Sequence, residues 1–410
     1  MKVSIIGLGH VGSAIAFVLS LKSIIKELVL VGRTPESVLG DVLDLRHGQL
    51  FVDAPSKISA GTISDTADSD VLVICASVPM DANMQDRQVL GPANVKLMAS
   101  LLPQLAQHSP SAKVVMVSNP VDILVYFAIE LTGFAPQRVL GTGTLVDSAR
   151  FRQLLAEDIQ IHTEDIRAYI LGEHGQTQFP AMSVATAGGE AIDDTPQRRE
   201  LFKRASQAGF EVLRRKGHTN YAIALAAVDI IHTIITDTKH TMPVSLKSDG
   251  FLGVNDVCLS LPAVIGKNGV ERILHPKLND EEQQAFLRSA NHLRSRPICE
   301  ALIEKKNQNP SVDIKVYTDQ QEYITESYNN YQTAQREQCL ADATTPSQQR
   351  DCLEENFLYS YNLILAGIDV RFKSYSYKWD NTTSEMMHHK YAIFDDNIVA
   401  AGSYNYSYNS

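Results

Sequence analysis

Lys2-Val3-Ser4-Ile5-Ile6-Gly7-Leu8-Gly9-His10-Val11-Gly12 decides how this chain folds. A short, mostly apolar run leads straight into three glycines spaced G-x-G-x-x-G, and a helical pattern, Ser13–Leu21, follows. A run that does not alternate with polar residues reads as a strand buried on both faces. The glycines have separate tasks. Gly7 makes the tight turn, Gly9 lets backbone approach a pyrophosphate, and Gly12 lets the helix pack on the strand. The helix N-terminus then offers its unsatisfied N–H groups to an anion. An ordinary glycine-rich turn is the alternative, but strand, loop, helix and second strand in that order favour a dinucleotide site.

Outward from this loop, further apolar runs stand at Leu28–Val31, Val71–Cys75, Val114–Val117 and Val139–Gly141, with helical patterns between them. The expected class is α/β, a doubly wound parallel Rossmann sheet over 1–145. Residues 146–293 mix helices (Arg150–Ala156, Arg198–Arg215, Asn220–Thr236) with strands (Arg167–Leu171, Met242–Leu246, Val257–Leu261), a mixed α/β catalytic domain. A closing helix is expected at Asp280–Leu293, capped by Asn279, with an acidic first turn that complements its dipole. Beyond Arg294 the texture turns to Gln, Asn, Ser and Tyr, with a loop-like polar stretch from Gln332 to Arg350. A third domain, 294–410, is placed there.

At 410 residues the chain is too long for one core. Its net charge of −10 argues against general nucleic-acid or membrane-surface binding, which needs a positive face. No apolar run spans a bilayer and no signal peptide opens the chain, so a cytoplasmic protein is expected. The five cysteines form no CxxC pair, so neither a zinc site nor a disulfide framework is indicated; Cys339 and Cys352 would pair only under oxidising conditions.

The residue ending the second strand selects the cofactor. An NAD site usually has a carboxylate there for the ribose 2′-hydroxyl. This chain has Gly32, then Arg33 and Thr34. Nothing repels a 2′-phosphate, and the Arg33 fork can hold one. NADP is expected over NAD; the alternative is a merely solvated Arg33 with NAD bound.

Three further stretches carry chemistry: Val117-Ser118-Asn119-Pro120-Val121-Asp122 at a strand's carboxyl end, Leu145-Val146-Asp147-Ser148-Ala149-Arg150 at a helix start, and Leu171-Gly172-Glu173-His174-Gly175 in a Gly-flanked turn. An imidazole titrates near neutral pH, so His174 suits proton transfer. Asp147 could hold its other ring nitrogen, and Arg150 could bind a carboxylate bidentately. Alone, each has a structural reading: a histidine in a Gly-rich turn, an aspartate capping a helix.

Together, in order and spacing, these segments from Met1 to about Leu293 closely resemble the lactate/malate dehydrogenase family. The resemblance implies that His174 is the general acid/base, Asp147 its partner, Arg150 the substrate-carboxylate anchor, and Asn119 a contact to substrate and cofactor. It further implies that Thr219 lines the cleft and that Arg87, in a loop running from Pro79, closes over the substrate and steadies the developing alkoxide. Arg87 is fixed in register by Asn94, assigned to the cofactor, and Lys96. The family's specificity position falls at Met80 or Asp81, where neither the arginine of a malate enzyme nor the glutamine common in lactate enzymes occurs. Asp81 would repel a second carboxylate and Met80 makes an apolar wall. With Asp86-Arg87 and Gly141-Thr142-Gly143-Thr144, this is similar to the L-2-hydroxyisocaproate dehydrogenase branch. The implied substrate is a monocarboxylic 2-keto/2-hydroxy acid with an apolar side chain, malate being the alternative. A homo-oligomer, dimer or tetramer, is also implied.

The tail holds His388-His389-Lys390, Asp395 and Gly402-Ser403-Tyr404-Asn405, a full match to H-x-K-x4-D-x6-G-S-x-N. A chance match to six fixed positions is on the order of 10⁻⁵ at average residue usage. Histidine would attack phosphorus while lysine and asparagine grip the phosphoryl oxygens, with no metal. The segment resembles the phospholipase D superfamily, in which two such motifs meet, whereas this chain carries one. It is expected to be a partial domain, active as a phosphodiesterase only if it dimerises, with His388, Lys390, Asp395, Ser403 and Asn405 as its site.

Overall fold

The computed structural model describes residues 1–78 and 90–293, together with four strands at 314–319, 369–373, 389–394 and 397–403. Two compact units divide the chain, Met1–Leu293 and Arg294–Ser410.

The first unit is built on a nine-stranded sheet. Six parallel strands stand in the order β3 (Lys57–Gly61), β2 (Glu27–Val31), β1 (Lys2–Ile6), β4 (Val71–Ile74), β5 (Lys113–Met116) and β6 (Val139–Gly141). This is the 3-2-1-4-5-6 order of two mononucleotide-binding halves, reversing between β1 and β4. Successive side chains of a strand face opposite ways, and here both ways are inward. Val3, Ile5, Leu28, Leu30, Val71 and Val73 pack on one face with α1 (His10–Leu21). Ile6, Val29, Val31, Leu72, Ile74 and Val114 pack on the other, and that burial on both faces is why the strands carry no polar alternation. The expected runs match the strands to within a residue or so. β3 was not expected, because Lys-Ile-Ser-Ala-Gly is an edge strand with mixed burial and too few apolar residues to register.

Helices α2 (Leu39–Gly48), α3 (Leu90–His108) and α4 (Val121–Thr132) complete the crossovers, and α5 (Leu145–Ile159) follows β6. The region read as one strand, Arg167–Leu171, is two: β7 (Ile166–Arg167) and β8 (Ile170–Leu171). They pair in different sheets, β7 with β10 (Thr186–Ala187), which also pairs β11 (Glu190–Ala191), and β8 with β9 (Phe179–Pro180). Next come α6 (Pro196–Lys216), capped by Thr195 and ended by Gly217 at φ +83°, and α7 (Tyr221–Thr236). Strands β12 (Thr241–Lys247), β13 (Cys258–Gly266) and β14 (Gly269–Ile273) then join the same large sheet antiparallel, β12 meeting β6 at Ser245↔Gly141. The sheet therefore runs on past residue 145.

A helix at residues 280–293, here α8, closes the unit. Asn279 Oδ1 accepts the Glu282 N–H at 2.9 Å, and the Glu282 carboxylate accepts the Asn279 N–H at 3.1 Å. This reciprocal capping box is the reason the helix starts where the acidic run does. Among the described residues no helix is long and apolar enough to cross a membrane.

In the second unit the described strands are β15 (Ile314–Asp319), β16 (Asp369–Lys373), β17 (His389–Phe394) and β18 (Asn397–Ser403), in the order β16-β15-β17-β18. β15 and β16 are parallel, and β17 and β18 form a hairpin in which His389 opposes Ser403 and Phe394 opposes Asn397. Cys339, Cys352 and the stretch Gln332–Arg350 lie outside the described residues.

Candidate active site

The glycine loop is as tight as its spacing requires. Gly7 has φ +96°, and a Cβ there would sit 2.4 Å from the backbone nitrogen of Ala76. A Cβ on Gly12 would lie 2.1 Å from the Gly7 carbonyl oxygen, so helix and loop touch through glycine alone. At Gly9 the space is open. Gly9 is also the N-cap of α1, without a side-chain cap and without an acid in the first turn. The uncapped amides of that turn and the clear space beside Gly9 fit a dinucleotide pyrophosphate.

After β2, a Cβ on Gly32 would meet Ser37 Oγ at 2.4 Å and Val38 Cγ1 at 2.5 Å. The turn as folded excludes any side chain at 32, an acid included. Thr34 caps the next 3-10 turn, its hydroxyl accepting the Ser37 N–H at 3.3 Å. Arg33 is exposed.

Asn119 is exposed at the carboxyl end of β5, joined to Pro120 by a cis peptide bond. Asn94 was expected to touch the cofactor, but it is fully buried. Its Nδ2 donates to the Asn119 carbonyl at 2.8 Å, and its Oδ1 accepts the Val78 N–H at 2.8 Å. Asn94 is a clasp between the ends of two parallel strands, and it holds the main chain of Asn119.

Asp147 occupies the first turn of α5, where it is buried, and it does not cap that helix. Its Oδ2 lies 2.8 Å from His174 Nδ1 and its Oδ1 accepts from Arg150 Nη1 at 3.1 Å. One carboxylate thus holds the imidazole and the guanidinium on adjacent oxygens. Burial opposes its charge, yet His174 and Arg150 keep the carboxyl below the usual carboxylate range. Burial likewise opposes charge on His174, but Asp147 beside it and Asp122 behind outweigh both burial and the repulsion of Arg150. The imidazole therefore keeps its proton to higher pH than an ordinary histidine. Arg150 lies along α6 beside Gly209, whose Cβ would stand 3.4 Å from Nη1. Among the described residues only Asp147 engages this guanidinium, which leaves N–H groups for an anionic substrate.

The turn carrying His174 is braced from two sides by residues to which the sequence reading gave no role. Asp122, in the first turn of α4, accepts the His174 main-chain N–H at 2.7 Å and the Ser245 hydroxyl at 2.5 Å. On the other side Ser289 of α8 accepts the Glu173 N–H at 2.6 Å, and the buried Glu173 carboxylate meets His292 at 3.2 Å. Asp122 closes the Asn119-Pro120-Val121-Asp122 stretch, and Glu173 adjoins His174. Both stood inside the motifs, but only folding reveals what they reach.

Thr219 is half-buried in the link between α6 and α7. Its neighbour His218 stacks on His10 of the glycine loop, ring centroids 3.9 Å apart and planes nearly parallel, which brings this link against the start of α1. Arg87, with Met80, Asp81 and Asp86, lies outside the described residues. So do His388, Asp395 and Asn405. Lys390 and Ser403 lie on the paired strands β17 and β18.

Compared with known proteins, residues 1–141 match the family model of the lactate/malate dehydrogenase NAD binding domain, and residues 144–301 that of the lactate/malate dehydrogenase alpha/beta C-terminal domain. Residues 283–410 match a third, the cardiolipin synthase, PLD-like domain. The chain is 37% identical over 304 residues to an L-lactate dehydrogenase of Gloeobacter violaceus, covering 72% of this chain and 92% of that protein. It is 38% identical over 300 residues to an L-lactate dehydrogenase of a Synechococcus species, covering 72% and 97%. The solved structure of MGS-M5, a lactate dehydrogenase from a Medee basin deep-sea metagenome library, superimposes with a TM-score of 0.68 at 32% identity, over 72% of this chain and 96% of that one.

Proposed function

Because the chain belongs to the lactate/malate dehydrogenase family over residues 1–301, we propose that it reduces a monocarboxylic 2-keto acid, or oxidises the matching L-2-hydroxy acid, with NADP in preference to NAD. At the coarser level it is a 2-hydroxyacid dehydrogenase using a nicotinamide cofactor, fused to a phospholipase D-like segment. The observation that carries the reading is Asp147 bonded at once to His174 and Arg150.

This arrangement and the family likeness support the following roles. Arg150 pairs with the substrate carboxylate and so fixes which face of the keto carbon is presented. A nicotinamide cofactor held at Gly7, Gly9 and Gly12 would supply the hydride chemistry at that carbon. His174, held protonated by Asp147, gives its proton to the oxygen as it gains charge, and takes it back in oxidation. By the family likeness Arg87 would steady that oxygen, and Asn119 and Thr219 would contact the substrate. Gly7, Gly9 and Gly12 cradle the pyrophosphate, while Gly32, Arg33 and Thr34 receive the adenosine ribose. The absence of arginine at Met80 or Asp81 and relatives named L-lactate dehydrogenases support a single-carboxylate substrate. The assigned domains are 1–145, 146–293 and 294–410.

A homo-oligomer in the cytoplasm completes the proposal, supported by exposed Phe17 and Leu21 on α1, Leu43 on α2 and Leu225 on α7. The test is absorbance at 340 nm with pyruvate, oxaloacetate and 2-ketoisocaproate, each with NADPH and NADH. Fastest turnover should come with a monocarboxylate and NADPH; fastest turnover of oxaloacetate refutes the substrate, and an NADH preference the cofactor.

A second reading rests on the match at 283–410: phosphodiesterase chemistry through His388, Lys390, Asp395, Ser403 and Asn405, completed by a second copy of the chain. Hydrolysis of bis-p-nitrophenyl phosphate, lost in His388→Ala, tests it.

A further inference from the structure

We propose that Asp122 is a positioning residue for this reaction: a second carboxylate that fixes the His174 turn through its main-chain N–H and lends negative charge to the protonated ring. The inference rests on the dehydrogenase reading of His174.

Asp122 is 3% exposed, and both its oxygens are engaged: Oδ2 takes the His174 N–H at 2.7 Å and Oδ1 the Ser245 hydroxyl at 2.5 Å. Three elements meet at this one carboxyl, the first turn of α4, the turn after β8 and strand β12. A carboxylate whose only task was to hold a turn would be a wasteful choice at such depth, where a neutral amide or hydroxyl avoids desolvating a charge. The charge itself therefore has a use, and the ring carried by the bonded residue is the cation that benefits.

The titratable and charged groups facing this centre are few. His174 and Glu173 lie on the turn, the Cys258 thiol on β13, with Lys247 beyond it, and Asp147 and Arg150 on α5 face the imidazole from the other side. Burial pushes the Asp122 carboxyl up to about 6, against the Ser245 and His174 donors and the attraction of His174. Asp147 remains charged well below that. The imidazole thus has one permanent anionic partner and one that switches on as pH rises through about 6. Above that pH, Asp122 helps His174 keep the proton that keto-acid reduction needs; below it, the help is withdrawn where the ring is protonated anyway.

Asp122→Asn isolates the charge. Its Oδ1 can still accept the His174 N–H and its Nδ2 can donate to Ser245 Oγ, which reverses its role. The test is the titration of the His174 ring Cε1–H by 1H–13C NMR in the full chain, assigned by the peak missing in His174→Gln. In Asp122→Asn the ring should lose its proton at lower pH than in the wild type. The alkaline limb of kcat/KM for keto-acid reduction should follow, with a loss on the order of 3- to 10-fold near pH 8, none near pH 5.5, and an unchanged cofactor KM. Ser245→Ala, which keeps the carboxylate, should displace the titration less and in the same direction, because Asp122 then holds its proton to higher pH. Coincident ring titrations in all three proteins overturn the proposal. A wild type that titrates as expected but reduces no keto acid overturns the dehydrogenase reading and leaves the role of Asp122 as stated.

Discussion

Asp147→Asn should be the most informative single substitution, because one side chain serves both cations. The His174 Nδ1 to Asp147 Oδ2 separation is 2.8 Å. Opposite unit charges that far apart attract by about 6 kcal/mol at an effective dielectric constant of about 20. The imidazole is 32% exposed, so solvent already screens part of this, and the amide dipole keeps some of the rest. Roughly half, about 3 kcal/mol, is what the substitution removes, on the order of a 100-fold loss in rate. An amide also cannot accept from both neighbours: if Oδ1 turns to His174, Nδ2 opposes the Arg150 N–H, donor against donor. Stripped of the carboxylate, the half-buried ring next to Arg150 should lose its proton at lower pH. The assay is kcat/KM for 2-keto-acid reduction from about pH 5.5 to 9, followed at 340 nm. The expected result is about 100-fold loss at pH 7, shrinking as pH falls. A loss of the same size at every pH, or one below about 5-fold, would show that Asp147 does not act through the charge of His174.

Three further outcomes follow from the structure. In Gly12→Ala the new methyl must move from 2.1 Å to beyond about 3.2 Å from the Gly7 oxygen, so the loop must shift; cofactor Kd, by fluorescence titration, should rise at least about 10-fold, with a lower Tm. Arg33→Ala should raise KM for NADPH about 10-fold and leave KM for NADH within about 2-fold, whereas equal changes in the two would remove Arg33 from phosphate recognition. Because burial raises Asp122 to about 6 in the folded chain from 3.8, the native state binds the extra proton. That contribution to stability is full below pH 3.8 and is lost as pH rises through 6. Asp122→Asn should therefore be more stable than the wild type at pH 7 by about 2–3 kcal/mol in urea, with the gap closing toward pH 4.

What could be read before folding was whatever lies within a few residues of itself. The glycine loop announces its strand and helix because all its constraints are local: Gly12 must clear Gly7, five positions away. The pair Asp147 and Arg150 is legible for the same reason, being one helical turn apart. His174 stands 27 positions from Asp147, so residue chemistry could suggest their pairing while only the family likeness implied it. Asp122 lay in plain view after Asn119-Pro120, yet its partners Ser245 and His174 are 123 and 52 positions away, and no spacing rule reaches that far. For Asn94 the sequence offered a place in the chain but not its partners: the Val78 N–H and the Asn119 carbonyl, 16 and 25 positions away, are visible only in the fold. The break between β7 and β8 escaped because a change of sheet leaves no mark on an apolar run.

Helix α8 reaches back 116 positions from Ser289 to the Glu173 N–H, and His292, one residue short of the unit's end, meets the Glu173 carboxylate. During synthesis the glycine loop can assemble while most of the chain is still unmade, but the turn carrying His174 gains its second brace only when residue 292 has left the ribosome. A fragment that stopped at residue 288 would keep the parallel sheet and the Asp122 brace but lose the one from α8. The front enzyme is therefore finished only at the junction where the second unit begins, and any cut made to separate the two has no slack on the upstream side.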